Sequence, residues 1–124
     1  MYTLERSADD QITLRLSGKL GAEDMRALLD ELVARSEGMN KGKLLYIVDD
    51  LQLPSLAALA VEMSRLPQLF GLLPRFSRCA VVAGQDWVRK TAEVEGKILP
   101  GIDITSYEGH EESVAQTWLD APTA

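Results

Sequence analysis

Two short apolar runs constrain the fold of this chain more than any other feature of its sequence. Residues 43–49 read KLLYIVD, and residues 77–83 contain RCAVVA. Each run is too short for a typical helix, and neither alternates between apolar and polar residues as a half-exposed strand does. Strands that are apolar on both faces are typical of parallel sheets covered by helices. These runs therefore predict an α/β fold with residues 43–49 as a central strand.

A hairpin is predicted at the beginning of the chain. Ile12, Leu14 and Leu16 alternate with polar residues, which is the period of a half-buried strand. The turn-forming residues 8–10, Ala-Asp-Asp, separate this strand from a shorter one at 3–6. Two strands joined by so short a turn pair in antiparallel orientation.

Helical periodicity fills the intervals between the later strands. The clearest helix begins at Ala22 and carries acidic residues in its first turn. Three more helices are predicted over 55–66, 86–95 and 110–119, and a last strand over 102–107. In the last helix the spacing directs four residues inward: Val114, Ala115, Trp118 and Leu119.

The resulting order, ββαβαβαβα, predicts a single α/β domain over residues 1–120, followed by a short tail at 121–124. Alternating strands and helices fold most economically as a mixed, mostly parallel five-stranded sheet with about four helices. A length of 124 residues with 46% hydrophobic residues is sufficient for one real hydrophobic core.

Composition and charge exclude several functional classes. The net charge of −6 argues against nonspecific nucleic-acid binding, because that mode needs basic residues to neutralise phosphates. The single cysteine, Cys79, excludes an internal disulfide and a cysteine-based metal cluster. The N-terminus has no apolar core of the signal-peptide kind, and no apolar run approaches the roughly 20 residues of a spanning helix. We therefore expect a cytoplasmic protein.

Residues that carry chemistry are sparse. Asp49 and Asp50 follow the predicted central strand, where open α/β sheets bind ligands, but successive side chains of an extended segment point apart. His110, the only histidine, has no nucleophile motif beside it. The stretch 84–87, GQDW, lacks the glycine spacings that cradle phosphates. The sequence thus predicts no catalytic residue, no metal site and no cofactor, and hence a non-enzymatic protein.

The segment 66–76, LPQLFGLLPRF, concentrates apolar residues where no continuous helix can form, because Pro67, Gly71 and Pro74 interrupt it. So much apolar surface in a loop indicates either a lid that folds back into the core or a contact surface. A contact surface would meet a nonpolar ligand, a membrane or a second subunit.

The residues that we predict for ligand or membrane contact are Leu66, Leu69, Phe70, Leu72, Leu73, Phe76 and Trp87. Trp87 is interpreted either as a packing residue or as the wall of a ligand pocket. Three arginines flank the segment and would be placed to meet lipid head groups: Arg65, Arg75 and Arg78.

Four stretches of the chain, in this order and spacing, resemble a known family. They read LRLSGKLGAEDMRAL, CAVVAGQDWVRK, ITSYEGHEE and VAQTWLD. On these stretches the chain resembles the SpoIIAA-like proteins of the STAS/SEC14 type, a family of small bacterial α/β domains. The resemblance extends over nearly the whole chain, and its motifs are structural rather than catalytic.

The resemblance implies a mixed sheet with helices packed on it, and it implies two alternative functions. By analogy with lipid-binding SEC14 domains, we expect the chain to bind a nonpolar, lipid-like ligand or a membrane surface through the predicted 55–66 helix and segment 66–76. Such a protein would be peripheral to the membrane, and its exposed apolar segment makes a homodimer a further expectation.

The alternative is a protein-interaction module of the anti-sigma-factor-antagonist type, regulated by phosphorylation at or near Ser55. In the antagonists the regulatory serine stands in an Asp-Ser-Ser-Gly-like stretch at a helix start. Here the corresponding stretch reads Leu53-Pro54-Ser55-Leu56, without the Asp or the Gly. An ordinary N-cap role for Ser55, worth about 1 kcal/mol, is therefore the competing interpretation.

Overall fold

The computed structural model describes residues 2–18, 21–51, 64, 71–84, 86–98 and 101–121. The chain begins with the predicted hairpin of β1 (Tyr2–Ala8) and β2 (Gln11–Gly18). The remaining elements are α1 (Ala22–Arg35), β3 (Gly42–Leu51), a 3-10 turn (Leu73–Arg75), β4 (Phe76–Ala83), α2 (Asp86–Ile98), β5 (Asp103–Tyr107) and α3 (Glu112–Asp120). Of the helix predicted over 55–66 only Ser64 is described, and it is helical. The other residues of that helix lie outside the description.

The five strands form one sheet in the order β1-β2-β3-β4-β5. β1 pairs antiparallel with β2, and every later neighbour is parallel. This confirms the predicted α/β fold with a mixed, mostly parallel five-stranded sheet. Because the parallel strands follow one another in chain order, right-handed crossovers place α1 and α2 on the same face of the sheet.

The larger core lies between the sheet and this pair of helices. The alternating residues of β2, Ile12, Leu14 and Leu16, all point into it, as their period predicts. The inner face of α1 contributes Met25, Leu28 and Leu29, and α2 contributes Val88 and Ala92. The same cluster includes Cys79, which is the buried thiol expected from its apolar surroundings.

A smaller core lies on the opposite face, beneath α3. Ala115 and Leu119 pack on Leu45, Ile47, Ala80 and Val82 of β3 and β4, with Tyr107 and Trp118 at the margin. The continuous apolar runs in β3 and β4 are thereby explained, since both faces of these two strands are covered. The β1–β2 half of this face carries polar residues instead, among them Thr3, Glu5, Thr13 and Arg15.

The inward direction predicted for Val114 is wrong. Ala115 and Leu119 are fully buried, but the side chain of Val114 is 50% exposed. Among the described elements α3 is the one helix on this face, and the described residues leave the flank that carries Val114 incompletely covered. Helical periodicity identifies the buried face of a helix but does not give its width, because that width depends on how many neighbours the helix has.

Arginine side chains hold the ends of the helices. Arg75 donates from Nη1 to the carbonyl oxygen of Val33 and to Oγ of Ser36, each at 2.9 Å. Arg78 donates to the carbonyl oxygens of Trp118 and Ala121, at 2.7 and 2.8 Å. These bonds add to the capping of carbonyl groups at the ends of α1 and α3, where the carbonyl oxygen of Trp118 also accepts from the N–H of Ala121 at 3.3 Å.

Candidate functional site

The carboxyl ends of the parallel strands β2 to β5 meet at one edge of the sheet, and each of the three described helices begins there. We call this the carboxyl edge. In open α/β sheets this edge is the usual place for a binding site. The turns after β4 and β5 approach each other closely here, since a Cβ atom built on Gly109 would lie 3.6 Å from the backbone nitrogen of Gly84.

The described part of the carboxyl edge is acidic. Seven carboxylates lie near the end of a strand, in the turn that follows a strand or in the first turn of a helix. The same edge carries two arginines and one histidine. The acidic residues are Glu23, Asp24, Asp49, Asp86, Glu108, Glu111 and Glu112, and the others are Arg15, Arg89 and His110. First-turn acids complement the positive ends of the helix dipoles, and together they give the edge a negative potential.

Arg15 joins two of these carboxylates across three elements. From β2 its guanidinium reaches Oδ2 of Asp49 on β3 and Oε1 of Glu112 in α3, each at 3.2 Å. The hydrogen bond to Asp49 contributes most to raising the pKa of Arg15, so this arginine stays charged. All three side chains are exposed, so the pairs orient the groups more than they stabilise the fold.

The position of Asp49 differs from the sequence-based expectation. β3 extends to Leu51, so Asp49 and Asp50 lie within the strand and do not follow it. Asp49 is bound to Arg15 and shares the face of the sheet that α3 covers. The side chain of Asp50 lies outside the description.

The turn 108–111 gathers the only histidine and two glutamates. The backbone N–H of Glu108 donates to Oε1 of Glu111 at 2.9 Å, and the N–H of Glu111 donates to the carbonyl oxygen of Glu108 at 2.9 Å. Nδ1 of His110 lies 3.7 Å from Oε2 of Glu108. Possible metal-ligating atoms of these three residues lie within 4.8 Å of one another, which the sequence reasoning did not anticipate. The sequence signal for this cluster is the short spacing E-G-H-E at 108–111, because a turn there brings the three side chains together.

A second arginine orders the turn between β4 and α2. Nη1 of Arg89 donates to the carbonyl oxygen of Ala83 at 2.9 Å, and Nη2 binds Oδ1 of Asp86. Asp86 is the first residue of α2, and it forms an ion pair with Arg89 one helical turn later. Arg15 pairs with two carboxylates of the edge and Arg89 with one. The other four acidic residues of the edge are Glu23, Asp24, Glu108 and Glu111.

The described end of segment 66–76 turns into the protein. Leu72 is 6% exposed and Phe76, the first residue of β4, is 5% exposed. Leu66, Leu69, Phe70 and Ser55 lie outside the described residues. Leu73 and Trp87 belong to the 3-10 turn and to α2, but their side chains are not described.

Two of the three arginines that the sequence suggested for lipid head groups bind the protein itself. Arg75 and Arg78 donate to backbone carbonyl oxygens at the ends of α1 and α3. Arg65 lies outside the described residues. Within the part of the chain that the structure describes, no helix has the length and apolar character needed to cross a membrane.

Comparison with known proteins places the chain in a family. The sequence profile of the SpoIIAA-like family matches residues 11–120. An uncharacterized protein of Shewanella loihica PV-4 with a SpoIIAA-like fold is similar in structure, with a TM-score of 0.74 and 21% identity over 96% of this chain and 92% of that one. The anti-sigma factor antagonist SpoIIAA in its unphosphorylated form gives a TM-score of 0.60 and 13% identity over 95% of this chain and 98% of its own.

At these identities the structural likeness establishes the fold alone. A comparison with curated proteins finds no match. The family match covers most of the chain, including β2, the central strands and all three described helices. The chain belongs to the SpoIIAA-like family.

Proposed function

We propose that this SpoIIAA-like domain is a non-enzymatic protein-interaction module that binds a basic surface of its partner through the carboxyl edge. The single observation that carries the proposal is the acidic character of that edge. Seven carboxylates stand there among the described residues, against two arginines and one histidine. The antagonist-type function implied by the family resemblance requires a protein partner. An acidic edge implies that the surface of this partner is basic.

Electrostatics favours a cationic partner over an anionic ligand. A phosphate or an anionic lipid head group that approaches the edge meets a net negative potential, whereas lysine and arginine side chains are attracted to it. Complementary charge of this kind accelerates association and selects the partner more than it adds affinity. We therefore expect the interaction to weaken as the salt concentration rises.

The proposed regulatory position, Ser55, belongs to the segment that leaves this edge. β3 ends at Leu51, and the chain continues directly into that segment. A phosphate on Ser55 would add up to about two negative charges to the segment that follows β3, and we expect such a change of charge to alter the affinity for a basic partner. Regulation at or near Ser55 is part of the proposal.

The test uses charge-neutral variants of the full chain. Wild type and a Glu108→Gln, Glu111→Gln variant are immobilised and exposed to extract of the organism that makes the protein, and retained proteins are identified by mass spectrometry. A Glu5→Gln, Glu37→Gln variant removes the same charge from exposed positions elsewhere. Support is a basic protein that wild type and control retain and that the edge variant retains at least about tenfold less at low salt. Wild type should also lose this protein toward 1 M salt, where the Debye length is about 3 Å. Equal retention by all three proteins contradicts the proposal.

A second candidate function is binding of a nonpolar, lipid-like ligand through segment 66–76. It rests on the concentration of apolar residues in that segment. At its described end Leu72 and Phe76 are buried, and Phe76 belongs to the larger core. Apolar residues directed inward suit a ligand enclosed by the protein better than a flat membrane surface. The use of Arg75 and Arg78 as helix caps also counts against a membrane contact at this end.

Two measurements separate the forms of this second candidate. Native mass spectrometry of the full chain should detect a copurifying apolar compound if the ligand is enclosed. Flotation with vesicles of phosphatidylcholine and phosphatidylglycerol should recover wild type better than a folded Leu69→Asp, Phe70→Asp variant if the segment meets a membrane. Absence of a bound compound together with equal flotation removes the second candidate.

A further inference from the structure

The guanidinium of Arg15 occupies a site formed by two carboxylates on rigid elements. Asp49 lies within β3 and Glu112 is the first residue of α3, so regular secondary structure fixes the backbone of both. Their oxygens Oδ2 and Oε1 lie 3.2 Å from Nη1 and Nη2 of Arg15, respectively. The two carboxylates are thus separated by the distance that one guanidinium spans. A guanidinium suits this arrangement because its N–H donors are held in a fixed plane.

Arg15 is the mobile member of this group. It is a long side chain and 44% exposed, and the carboxylates of Asp49 and Glu112 are 56% and 50% exposed. Ion pairs this exposed contribute little to stability, because water solvates both partners. The position of α3 rests on the fully buried Ala115 and Leu119. Arg15 can therefore leave the two carboxylates while α3 stays on the sheet.

The sheet beside this group is open in the part of the chain that the structure describes. Here α3 is the one helix on its face, and it packs on β3 and β4. The residues of β1 and β2 on the same face are polar, and Glu5 lies directly opposite Thr13. A side chain from another molecule can therefore reach Asp49 and Glu112 from the β1–β2 side without disturbing apolar packing.

We propose that Asp49 and Glu112 are the receptor for an arginine side chain of the basic partner, and that Arg15 is an internal competitor which this arginine displaces. The inference rests on the proposed function, because it names the residue type that the carboxyl edge recognises. An ammonium group is a compact point charge that does not match two separated carboxylates as a planar fork does. The receptor should therefore select arginine over lysine.

The internal competitor also determines what kind of partner binds. Exchanging one guanidinium for another conserves the ion pairs, and Arg15 has the advantage of being tethered beside the site. Net affinity must therefore come from further basic residues of the partner. Glu108 and Glu111 lie in the turn just before α3 and are placed to meet them. The partner surface that fits is an arginine within a basic cluster, not an isolated arginine.

The first experiment measures the dissociation constants of the full chain for two fluorescent probes, a hexapeptide of arginine and the same peptide made of lysine. Arg15→Met should bind the arginine peptide at least about threefold more tightly than wild type, because two carboxylates are released. Arg26→Met removes the same charge from an exposed position of α1 and should not reproduce this gain. In the Arg15→Met background, Asp49→Asn with Glu112→Gln should abolish the preference for arginine over lysine.

A further variant distinguishes this inference from the proposed function. In the Arg15→Met background, Glu108→Gln with Glu111→Gln should weaken binding of both peptides and keep the preference for arginine. Weaker binding with no preference for arginine in any variant overturns the receptor and leaves the acidic edge standing. Unchanged binding, with the preference still dependent on Asp49 and Glu112, supports the receptor and contradicts the wider edge. An equal gain in Arg15→Met and Arg26→Met overturns the internal competitor.

The second experiment observes the displacement directly by nuclear magnetic resonance. The Nε–H signal of Arg15, assigned by its loss in Arg15→Met, should move toward the position of a solvated arginine when wild type is saturated with the arginine peptide. The signal of Arg75, at the opposite end of the sheet, should stay in place. Circular dichroism confirms that each variant is folded. An Arg15 signal that does not move at saturation overturns the proposal.

Discussion

Gln11 on β2 and Gln116 on α3 bind each other amide to amide. Nε2 of each donates to Oε1 of the other, at 2.9 and 2.8 Å. Gln11 is buried. On the face of the sheet that α3 covers, it lies between the apolar residues of β3 and β4 and the polar residues of β1 and β2. The pair therefore sets the position of α3 on the sheet at a border that apolar packing alone would leave undefined.

Removing one amide of this pair should destabilise the protein. We expect Gln116→Ala to lower the free energy of unfolding by about 1–3 kcal/mol, because the buried amide of Gln11 loses a donor and an acceptor together. The double variant Gln11→Met, Gln116→Met should lose less than the sum of the single variants, since no polar group is left unpaired. Urea unfolding measures Gln116→Ala against wild type, and the double variant against wild type and the single variants Gln11→Met and Gln116→Met. Additive losses would show that the two amides do not act as a pair.

Arg75 should contribute more to stability than its position in a surface segment indicates. It binds the carbonyl oxygen of Val33 and Oγ of Ser36, whose exposure is 0%. We expect Arg75→Met to cost about 1–3 kcal/mol. Arg75→Lys should restore only part of this, because an ammonium lacks the planar fork. Arg26→Met, at an exposed position of α1, is the control in thermal unfolding, and an equal loss there would contradict a capping role.

Gly42 should not tolerate a side chain. A Cβ atom at this position would lie 2.8 Å from the carbonyl oxygen of Asp10 and 3.1 Å from that of Arg75, and against Cε of Met39. Backbone oxygens cannot withdraw cheaply, so we expect Gly42→Ala to cost about 1–3 kcal/mol. Gly84→Ala, where a Cβ atom would meet nothing within 4 Å, is the matched control. Equal stability of the two variants in urea would refute the steric argument.

The phenol of Tyr107 should ionise late. Burial, and then the negative charge of Glu111, raise the pKa of Tyr107 above its ordinary value of 10.0. The unfolded chain releases this proton at lower pH, so the stability contributed by the neutral phenol is complete below pH 10 and is lost as the pH rises through the folded pKa. Alkaline titration of the phenolate absorbance, with Tyr107→Phe to assign the signal, measures the pKa.

A charge variant separates the two causes of this shift. Glu111→Gln should move the pKa of Tyr107 toward its ordinary value, and Glu108→Gln should leave it in place, because among the described residues Glu111 is the charged group that raises it. The same movement in both variants would assign the shift to the general charge of the turn.

Periodicity sufficed to predict the strands and helices within the described residues, because burial on one face or on both leaves its mark on the order of apolar residues. The predicted strand 43–49 corresponds to β3 (Gly42–Leu51), and the predicted helix 110–119 corresponds to α3 (Glu112–Asp120). Some boundaries coincide and the others differ by one to three residues, since the ends of elements depend on caps and ladder bonds that local pattern does not encode.

The tertiary structure decided which polar side chains act together. Arg15, Asp49 and Glu112 are far apart in the chain, and they meet because β2 and β3 are parallel and α3 returns across them. The sequence suggested Arg75 and Arg78 for lipid head groups, whereas the fold brings the carbonyl ends of two helices within their reach. Local pattern is sufficient to predict which face of an element is buried. The partner of a charged side chain depends on distances that only the packed chain defines.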